Sequence, residues 1–281
     1  VPEPDALIRY VNYFIRPGAR HIAAVTANMD VQNRTKLIAK SQTVEFSSIV
    51  GIIKRTQSAV FGGLYAYSGA NTMYRKEALI DVGGFRQDRA TEDISIAWDH
   101  QLNDWLSVFA PEIIFFMEVP VTLKMLYRQR KRWAKGGTEV WLTNFKKVML
   151  HPFKHIGRTI IFIDQTLSIV WSIFFCISVV LFAGLIGHYV YQGNYEQIYI
   201  TFTFSFVFIC FEMVAGFFQL LASLIVDDRR RKLKYLLFAP LYMLLFWIVN
   251  AITIVTTFIP AVKTILGYGS GTWKSPERTK K

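Results

Sequence analysis

Two short stretches of the sequence carry side chains able to move a proton and hold an anion: Thr91-Glu92-Asp93, and further on Gln129-x-x-Arg132-Trp133. A carboxylate such as Asp93 can take the proton of an attacking hydroxyl. The Arg132 guanidinium can engage phosphate oxygens in two places at once, Gln129 can both donate and accept, and the Trp133 indole offers a flat apolar face. Each stretch also has a plainer use. A Thr followed by acidic residues is the pattern of a capped helix N-terminus. Five cations between Arg128 and Lys135, with a Trp among them, make a solvated basic face or an anchor at a membrane surface.

Composition narrows the setting for these residues. The chain has 281 residues, 52% of them hydrophobic and 15% aromatic, which is high for a purely soluble protein. A net charge of +12 suits nucleic acid, anionic lipid or an anionic substrate equally. The cations sit beside a membrane boundary rather than along an exposed stripe with several stacking aromatics, so no nucleic-acid partner is expected. The two cysteines, Cys176 and Cys210, lie inside long apolar runs, which argues against a disulfide framework or a Cys-based zinc site. The opening VPEPDAL has no basic segment followed by an apolar one. It reads as an interior point of a longer protein.

Four regions follow from the pattern of apolar residues: 1–126, a cytosolic domain; 127–157, the basic segment and membrane-interface helices; 158–265, about three spans; and 266–281, a basic tail. Gln165 to Tyr195 holds no Asp, Glu, Lys or Arg, and its core is long enough to cross about 30 Å of hydrocarbon as a helix. Further candidate spans run from Tyr199 to Val226, broken by Glu212, and from Tyr235 to Val262, with Pro240 and Pro260 near its ends. The loop GHYVYQGNYEQ has no Lys or Arg and DDRRRKLK has five, which places the second loop and the preceding domain in the cytoplasm. Alternation then puts the tail outside although it is basic. Either the tail departs from the charge bias or the third segment does not cross. Glu212 within the second span faces a translocation path or partner subunit, or else sits at interface level.

The first region reads as mixed α/β. HIAAVTANMDV has the form of a strand, Lys36 to Val60 that of a helix ending at Gly62-Gly63, and LYAYSGANTMY alternates as a strand. RKEALIDV fits a short helix ended by Gly83-Gly84, and TEDISIAWDHQLND a helix with Thr91 at its N-cap. TEVWLTNFKKVMLHPFKHIG mixes apolar and Lys residues like a helix lying on the inner membrane surface.

SGAN, TED and QRKRW, in that order and ahead of membrane spans, resemble the processive family 2 glycosyltransferases, the group of cellulose, chitin, hyaluronan and poly-N-acetylglucosamine synthases. The resemblance covers most of the chain. The stretches YRKEALIDVGGF, RATEDISIAW, VPVTLKMLYRQRKRWAKGG and WKSPER look most like the bacterial poly-β-1,6-N-acetylglucosamine synthases of biofilm matrix. It implies the C-terminal part of a GT-A-type α/β domain followed by transmembrane helices, and inverting transfer of N-acetylglucosamine from UDP-GlcNAc at the inner face of a bacterial cell membrane, coupled to export. By resemblance Asp93 is the general base, with Glu92 and Thr91 orienting its loop. Arg132 is the natural partner of the diphosphate, Gln129 a site residue able to donate and accept, and by resemblance Trp133 stacks on the acceptor end of the polymer.

Ser68 and Gly69 occupy the place of the family's Gly-containing loop near the acceptor sugar, or a strand-end turn. The aromatic pair that precedes this Gly in cellulose synthases is Ala66-Tyr67 here. Arg128, Arg130, Lys131 and Lys135 are assigned interfacial or lipid-facing roles. The family holds Mg²⁺ or Mn²⁺ through an Asp pair and a D-x-D motif, which this reading places before Val1. A chain without that half is expected to lack the uridine pocket and be inactive alone. Expected partners are the UDP-sugar donor, the growing polysaccharide, the lipid bilayer and a small membrane accessory subunit. The rival class is a membrane channel or transporter subunit whose basic domain docks anionic lipid.

Overall fold

The computed structural model describes residues 1–227 and 231–268. Strand β1 (Ile22–Val31) is buried along nearly its whole length, as suits a run of small and apolar residues with sheet neighbours on both sides. It pairs antiparallel with β2 (Thr72–Tyr74) and parallel with β3 (Leu106–Met117), giving the order β2-β1-β3. Alternate residues of β1 serve opposite faces. Ala24 packs with Val50, Leu64, Ile96, Ala97 and Phe109, whereas Val25 and Ala27 pack with Ala6 and Tyr10 of α1 (Ala6–Ile15), Ala110 and Ile113.

Strand β3 had no counterpart in the sequence reading. Pro111 interrupts its run of strand-forming residues, and at that point the pairing with β1 slips: Ala27 faces Ala110, while Asn28 faces Ile114. The expected strand from Leu64 to Tyr74 is also shorter than the alternation suggests. Only Thr72–Tyr74 joins the sheet. Upstream the backbone is held by other partners: the Tyr65 N–H donates to Gln57 Oε1 at 3.0 Å, and the Asn71 N–H closes a turn on the Ser68 carbonyl at 3.1 Å.

The helix expected from Lys36 to Val60 is split into α2 (Leu37–Ser48), a π-helical segment (Ile49–Ile53) and α3 (Lys54–Phe61). The widened turn lies where another helix comes close: a Cβ on Gly51 would stand 2.8 Å from the Ser223 carbonyl oxygen. Gly62, with φ +64°, ends α3. Helix α4 (Lys76–Asp81) and helix α5 (Glu92–Leu102) follow as expected.

Helix α6 (Leu123–Met149) is continuous, with Thr122 Oγ1 accepting the Met125 N–H at its start. Helices α7 (Ile156–Gln192) and α8 (Tyr195–Val226), and the run Leu233–Ile265 that contains α9 (Ala239–Ile265), are each long and apolar enough to cross a membrane. The tail from residue 269 lies outside the described residues.

Both α7 and α8 are tied to the α/β domain at one end. Arg158 in the first turn of α7 donates to the Gln101 carbonyl at 3.0 Å. At the end of α8, Asp227 is fully buried and accepts from Ser47 Oγ at 2.8 Å, Asn28 Nδ2 at 3.4 Å and Lys232 Nζ at 2.7 Å. Lys232 also lies 2.9 Å from Asp30, which pairs in turn with Arg34. Lys232 of the α8–α9 loop, which was read only as cytoplasmic, is thus spent inside the protein. The loop also sits on the same side of α7 and α8 as the α/β domain. Helix α9 then runs beside α6, with the Arg130 guanidinium 5.4 Å from the Phe246 ring and Trp141 6.4 Å from Phe258.

Removing the cation from this buried network leaves the fully buried Asp227 carboxylate without its counter-charge, while Asp30 keeps Arg34. Lys232→Met is expected to cost about 3–5 kcal/mol, read as a lower denaturation midpoint of the detergent-solubilised protein. A midpoint equal to the parent's would show that the network carries no stability.

Candidate active site

Asp93 is the second residue of α5, and its carboxylate receives two backbone N–H groups. Gly69 donates to Oδ2 at 3.3 Å and Ile94 to Oδ1 at 3.0 Å. The Ser68–Asn71 turn and the start of α5 therefore meet, bringing Ser68, Gly69, Glu92 and Asp93 together. The approach is close: a Cβ on Gly69 would stand 3.0 Å from Glu92 Oε1, so a larger residue would press on that side chain. Ser68 donates its N–H to Thr72 Oγ1 at 3.1 Å and its hydroxyl to Met29 Sδ at 3.3 Å.

Thr91 stands at the N-cap position of α5, but its side chain makes no capping hydrogen bond. It is buried instead against α6. A Cβ on Gly136 would fall 1.9 Å from Thr91 Oγ1 and 2.7 Å from its Cβ, so only glycine allows the two elements this approach. Three residues further on, Glu139 is fully buried and its Oε2 accepts the Ala90 N–H at 2.9 Å, just ahead of Thr91.

This clamp sets α6 against the start of α5 and brings Arg132 into the field of Asp93. Burial pushes the Asp93 carboxyl above the usual carboxylate range, and Glu92 adds to the rise; the Gly69 N–H, Arg132 and Lys54 oppose it. Trp133, the next residue, points elsewhere. It packs on the cluster of Met29, Val31, Ala39, Phe46 and Val119. Met29 belongs to that cluster and also receives the Ser68 hydroxyl, so the indole and the Gly69 turn flank the same sheet end. Gln129 Oε1 is buried and has no hydrogen-bond partner among the described residues.

The basic cluster divides. Arg128 and Lys131 are exposed, as an interfacial role requires. Arg130 and Lys135 do not face lipid. Arg130 is buried, bonds Glu45 Oε2 at 2.7 Å and lies 4.3 Å from the Trp133 ring centroid. Burial raises the Glu45 pKa and Arg130 opposes the rise. Lys135 Nζ lies 3.4 Å from the buried Glu139. The segment expected to lie on the membrane surface, from Thr138 to Gly157, is partly internal too: Thr138, Glu139, Val140, Asn144 and Val148 are buried.

Glu45, Lys54, Gly136 and Glu139 are the residues of this region that the sequence reading missed. The pair Gly136-Gly137 inside a helix was the visible sign, since glycine there costs stability unless something needs the space. Of the two cavities that stand out, one of about 530 Å³ borders Tyr10, Asn71 and Tyr74, and one of about 270 Å³ borders Gln101, His155 and Arg158. Neither is lined by Asp93, Arg132 or Trp133. Among the described residues no group of three or more His, Cys, Asp or Glu could hold a metal ion. The described residues therefore do not fit the family's metal, and no chemistry below runs through one.

Residues 1–266 match glycosyl transferase family group 2. The chain belongs to this family. It is 34% identical over 261 residues to the poly-β-1,6-N-acetyl-D-glucosamine synthase of Staphylococcus epidermidis, covering 92% of this chain and 61% of that protein. It is 32% identical over 271 residues to the enzyme of the same name from Staphylococcus aureus strain COL, covering 95% of this chain and 64% of that one. The chain therefore spans somewhat over three fifths of the length of these relatives. A mannosyltransferase from Pyrobaculum calidifontis, solved with GDP-Man and Mn²⁺, superposes with a TM-score of 0.44 at 14% identity over 86% of this chain and 59% of its own.

Filling the contact between α6 and Thr91 gives a direct test. Gly136→Ala is expected to destabilise the protein by about 1–3 kcal/mol through overpacking, seen as a lower thermal midpoint. Gly184→Ala, where a Cβ meets nothing within 4 Å, should leave the midpoint unchanged or raise it.

Proposed function

We propose that this chain carries the acceptor side of a processive, inverting glycosyltransferase that extends a β-1,6-linked N-acetylglucosamine polymer from UDP-GlcNAc. The observation that carries the reading is the Asp93 carboxylate, oriented by the Gly69 N–H and faced by Arg132. Asp93 takes the proton of the 6-hydroxyl at the chain end as that oxygen bonds to C1 of the donor sugar. The bond from C1 to the diphosphate oxygen breaks, and UDP leaves with the electron pair on the face opposite to attack. The configuration at C1 is thereby inverted.

Arg132 balances negative charge developing on the leaving diphosphate, with Gln129 as a hydrogen-bonding neighbour. Trp133 gives the acceptor a flat apolar surface beside the Ser68–Gly69 turn. Glu92 and Thr91 hold the loop that presents Asp93. The relatives named as poly-β-1,6-N-acetyl-D-glucosamine synthases support this choice of sugar and linkage; hyaluronan- or chitin-type transfer uses the same residues.

The setting proposed is a bacterial inner membrane, with the α/β domain in the cytoplasm. The Lys/Arg bias of the loops supports it, as does the docking of the α8–α9 loop on that domain. Glu212 is exposed on α8. A carboxylate within an apolar span calls for a polar partner, which suits a small membrane accessory subunit.

A base works in its ionised form, so transfer should fall as pH drops through the Asp93 pKa, at a point above the ordinary carboxylate range because burial raises it. In membranes carrying the full-length protein and radiolabelled UDP-GlcNAc, Asp93→Asn is expected to cut polymer formation by about 10²–10⁴-fold. Trp133→Ala is expected to cut polymer while leaving UDP binding intact. Polymer made at the parental rate by both variants would overturn the assignment and favour the channel or transporter class.

A further inference from the structure

Lys54 is a lysine that stays buried, with 6% of its surface exposed, and its Nζ has no hydrogen-bond partner among the described residues. It is the first residue of α3, directly after the π-helical segment. Its neighbours about one turn to either side, Val50 in the π-helical segment and Gln57 on α3, fix which way this part of the helix turns. Val50 packs in one cluster with Ile96 and Ala97 of α5, and Gln57 accepts the Tyr65 N–H at 3.0 Å. Lys54 lies between them, on the approach to the start of α5, and its charge and that of Asp93 are felt by one another. Burying an ammonium with no partner is costly unless an opposite charge compensates. The structure offers Asp93.

We propose that Lys54 is a positioning residue of the transfer site: a buried ammonium that acts through Asp93, keeping that carboxylate ionised and ready to accept the acceptor proton. This rests on Asp93 being the base. The Asp93 carboxylate has little water to stabilise its charge, and Glu92 beside it repels a second negative charge. Arg132 on α6 and Lys54 on α3 approach it from separate elements and supply the balance. Burial brings the Lys54 pKa down to about 8, with Asp93 holding it up, so the ammonium remains mostly charged at neutral pH.

The other charged and titratable groups near this pair are few. Tyr65 has its pKa raised by burial and then by the Asp93 and Asp164 carboxylates, which places α7 at the edge of the cluster. Burial also raises Tyr74, on β2, with Asp93 adding to the rise. Arg55, next to Lys54, turns instead over the Phe109 ring at 6.0 Å, and Arg158 is committed to the Gln101 carbonyl. A second task follows for Arg132: it faces both the base and the leaving group, whereas Lys54 serves the base alone. The π-helical segment is the local departure that places Lys54 here, in keeping with the frequent occurrence of such bulges at functional sites.

The test compares parent, Lys54→Met, Lys54→Arg and Asp93→Asn in membranes carrying the full-length protein. Polymer formation is measured across pH 5.5 to 9. Protonation of Asp93 is followed separately, as the pH dependence of its modification by a water-soluble carbodiimide, read by peptide mass. Removing the ammonium should move the acid limb of activity and the midpoint of Asp93 labelling upward together by about one pH unit. That is about a tenfold loss of polymer on the acid side, with recovery toward the parental rate near pH 9. Lys54→Arg should stay close to the parent.

An unchanged Asp93 labelling midpoint in Lys54→Met overturns the proposal, whatever the activity. So does a loss of polymer that is the same at every pH. The labelling measurement reads the folded protein without turnover, so a poorly active variant still reports. Asp93→Asn keeps the two readings apart. If it still makes polymer, the base assignment fails first; if it is inactive while the Lys54→Met midpoint does not move, only the role of Lys54 fails.

Discussion

The site depends on one buried carboxylate that does no chemistry of its own. Glu139 is fully enclosed in α6 and takes the backbone N–H of Ala90. Its companion Lys135 lies one turn earlier on the same helix. Together with the approach of Gly136 to Thr91, this fixes the first turn of α5 against the middle of α6. Asp93 belongs to the first of these elements and Arg132 to the second. Without the clamp, the carboxylate and the guanidinium would be set by two independent helix ends, and small shifts there would separate the two charges.

The electrostatics follow from how α6 distributes its cations. Arg130 and Arg132 are two residues apart, hence nearly on opposite sides of the helix. Arg132 faces Asp93, while Arg130 turns toward Glu45 of α2, the Trp133 ring and Phe246 of α9. One cation joins the cluster around Asp93 and the other joins the α/β domain to the apolar helices. The Arg130–Glu45 pair is buried, so losing either partner alone would leave a charge with nothing to balance it. This gives the helix that carries Gln129 and Trp133 a fixed rotation relative to both layers.

Much of this was legible in the sequence, for identifiable reasons. The long apolar runs, β1, α4 and α5 each follow from a local pattern that tertiary contacts reinforce. The Thr91-Glu92-Asp93 and Gln129-x-x-Arg132-Trp133 stretches lie on α5 and α6, two elements that meet where Gly136 approaches Thr91. The failures are equally specific. Pro111 hid β3 because the sheet absorbs it in a register slip. The alternation from Leu64 to Tyr74 suggested a long strand because sequence does not show that Gln57 and the Ser68–Asn71 turn take its backbone donors. Arg130 and Lys135 looked like membrane-facing cations because their partners, Glu45 and Glu139, are recognisable only when buried. Lys54 was invisible for the same reason: a Lys-Arg pair after an apolar stretch is usually at the surface.

The Asp227 contacts have a consequence for how the protein is made. Asn28 and Ser47 belong to the earliest part of the chain, and the carboxylate that satisfies them arrives 199 and 180 residues later. Between them lie two helices of 37 and 32 residues, which must find their place before Asp227 can reach β1 and α2. Domains generally complete folding as their segments emerge from the ribosome, N-terminal parts first. Here Ser47 and Asn28 lack this carboxylate until the apolar hairpin has been placed, Asn28 keeping the Pro111 carbonyl as acceptor. Completion of the contacts around Asp227 is thereby made conditional on the placement of α7 and α8, and a copy in which those helices were misplaced would keep this joint open.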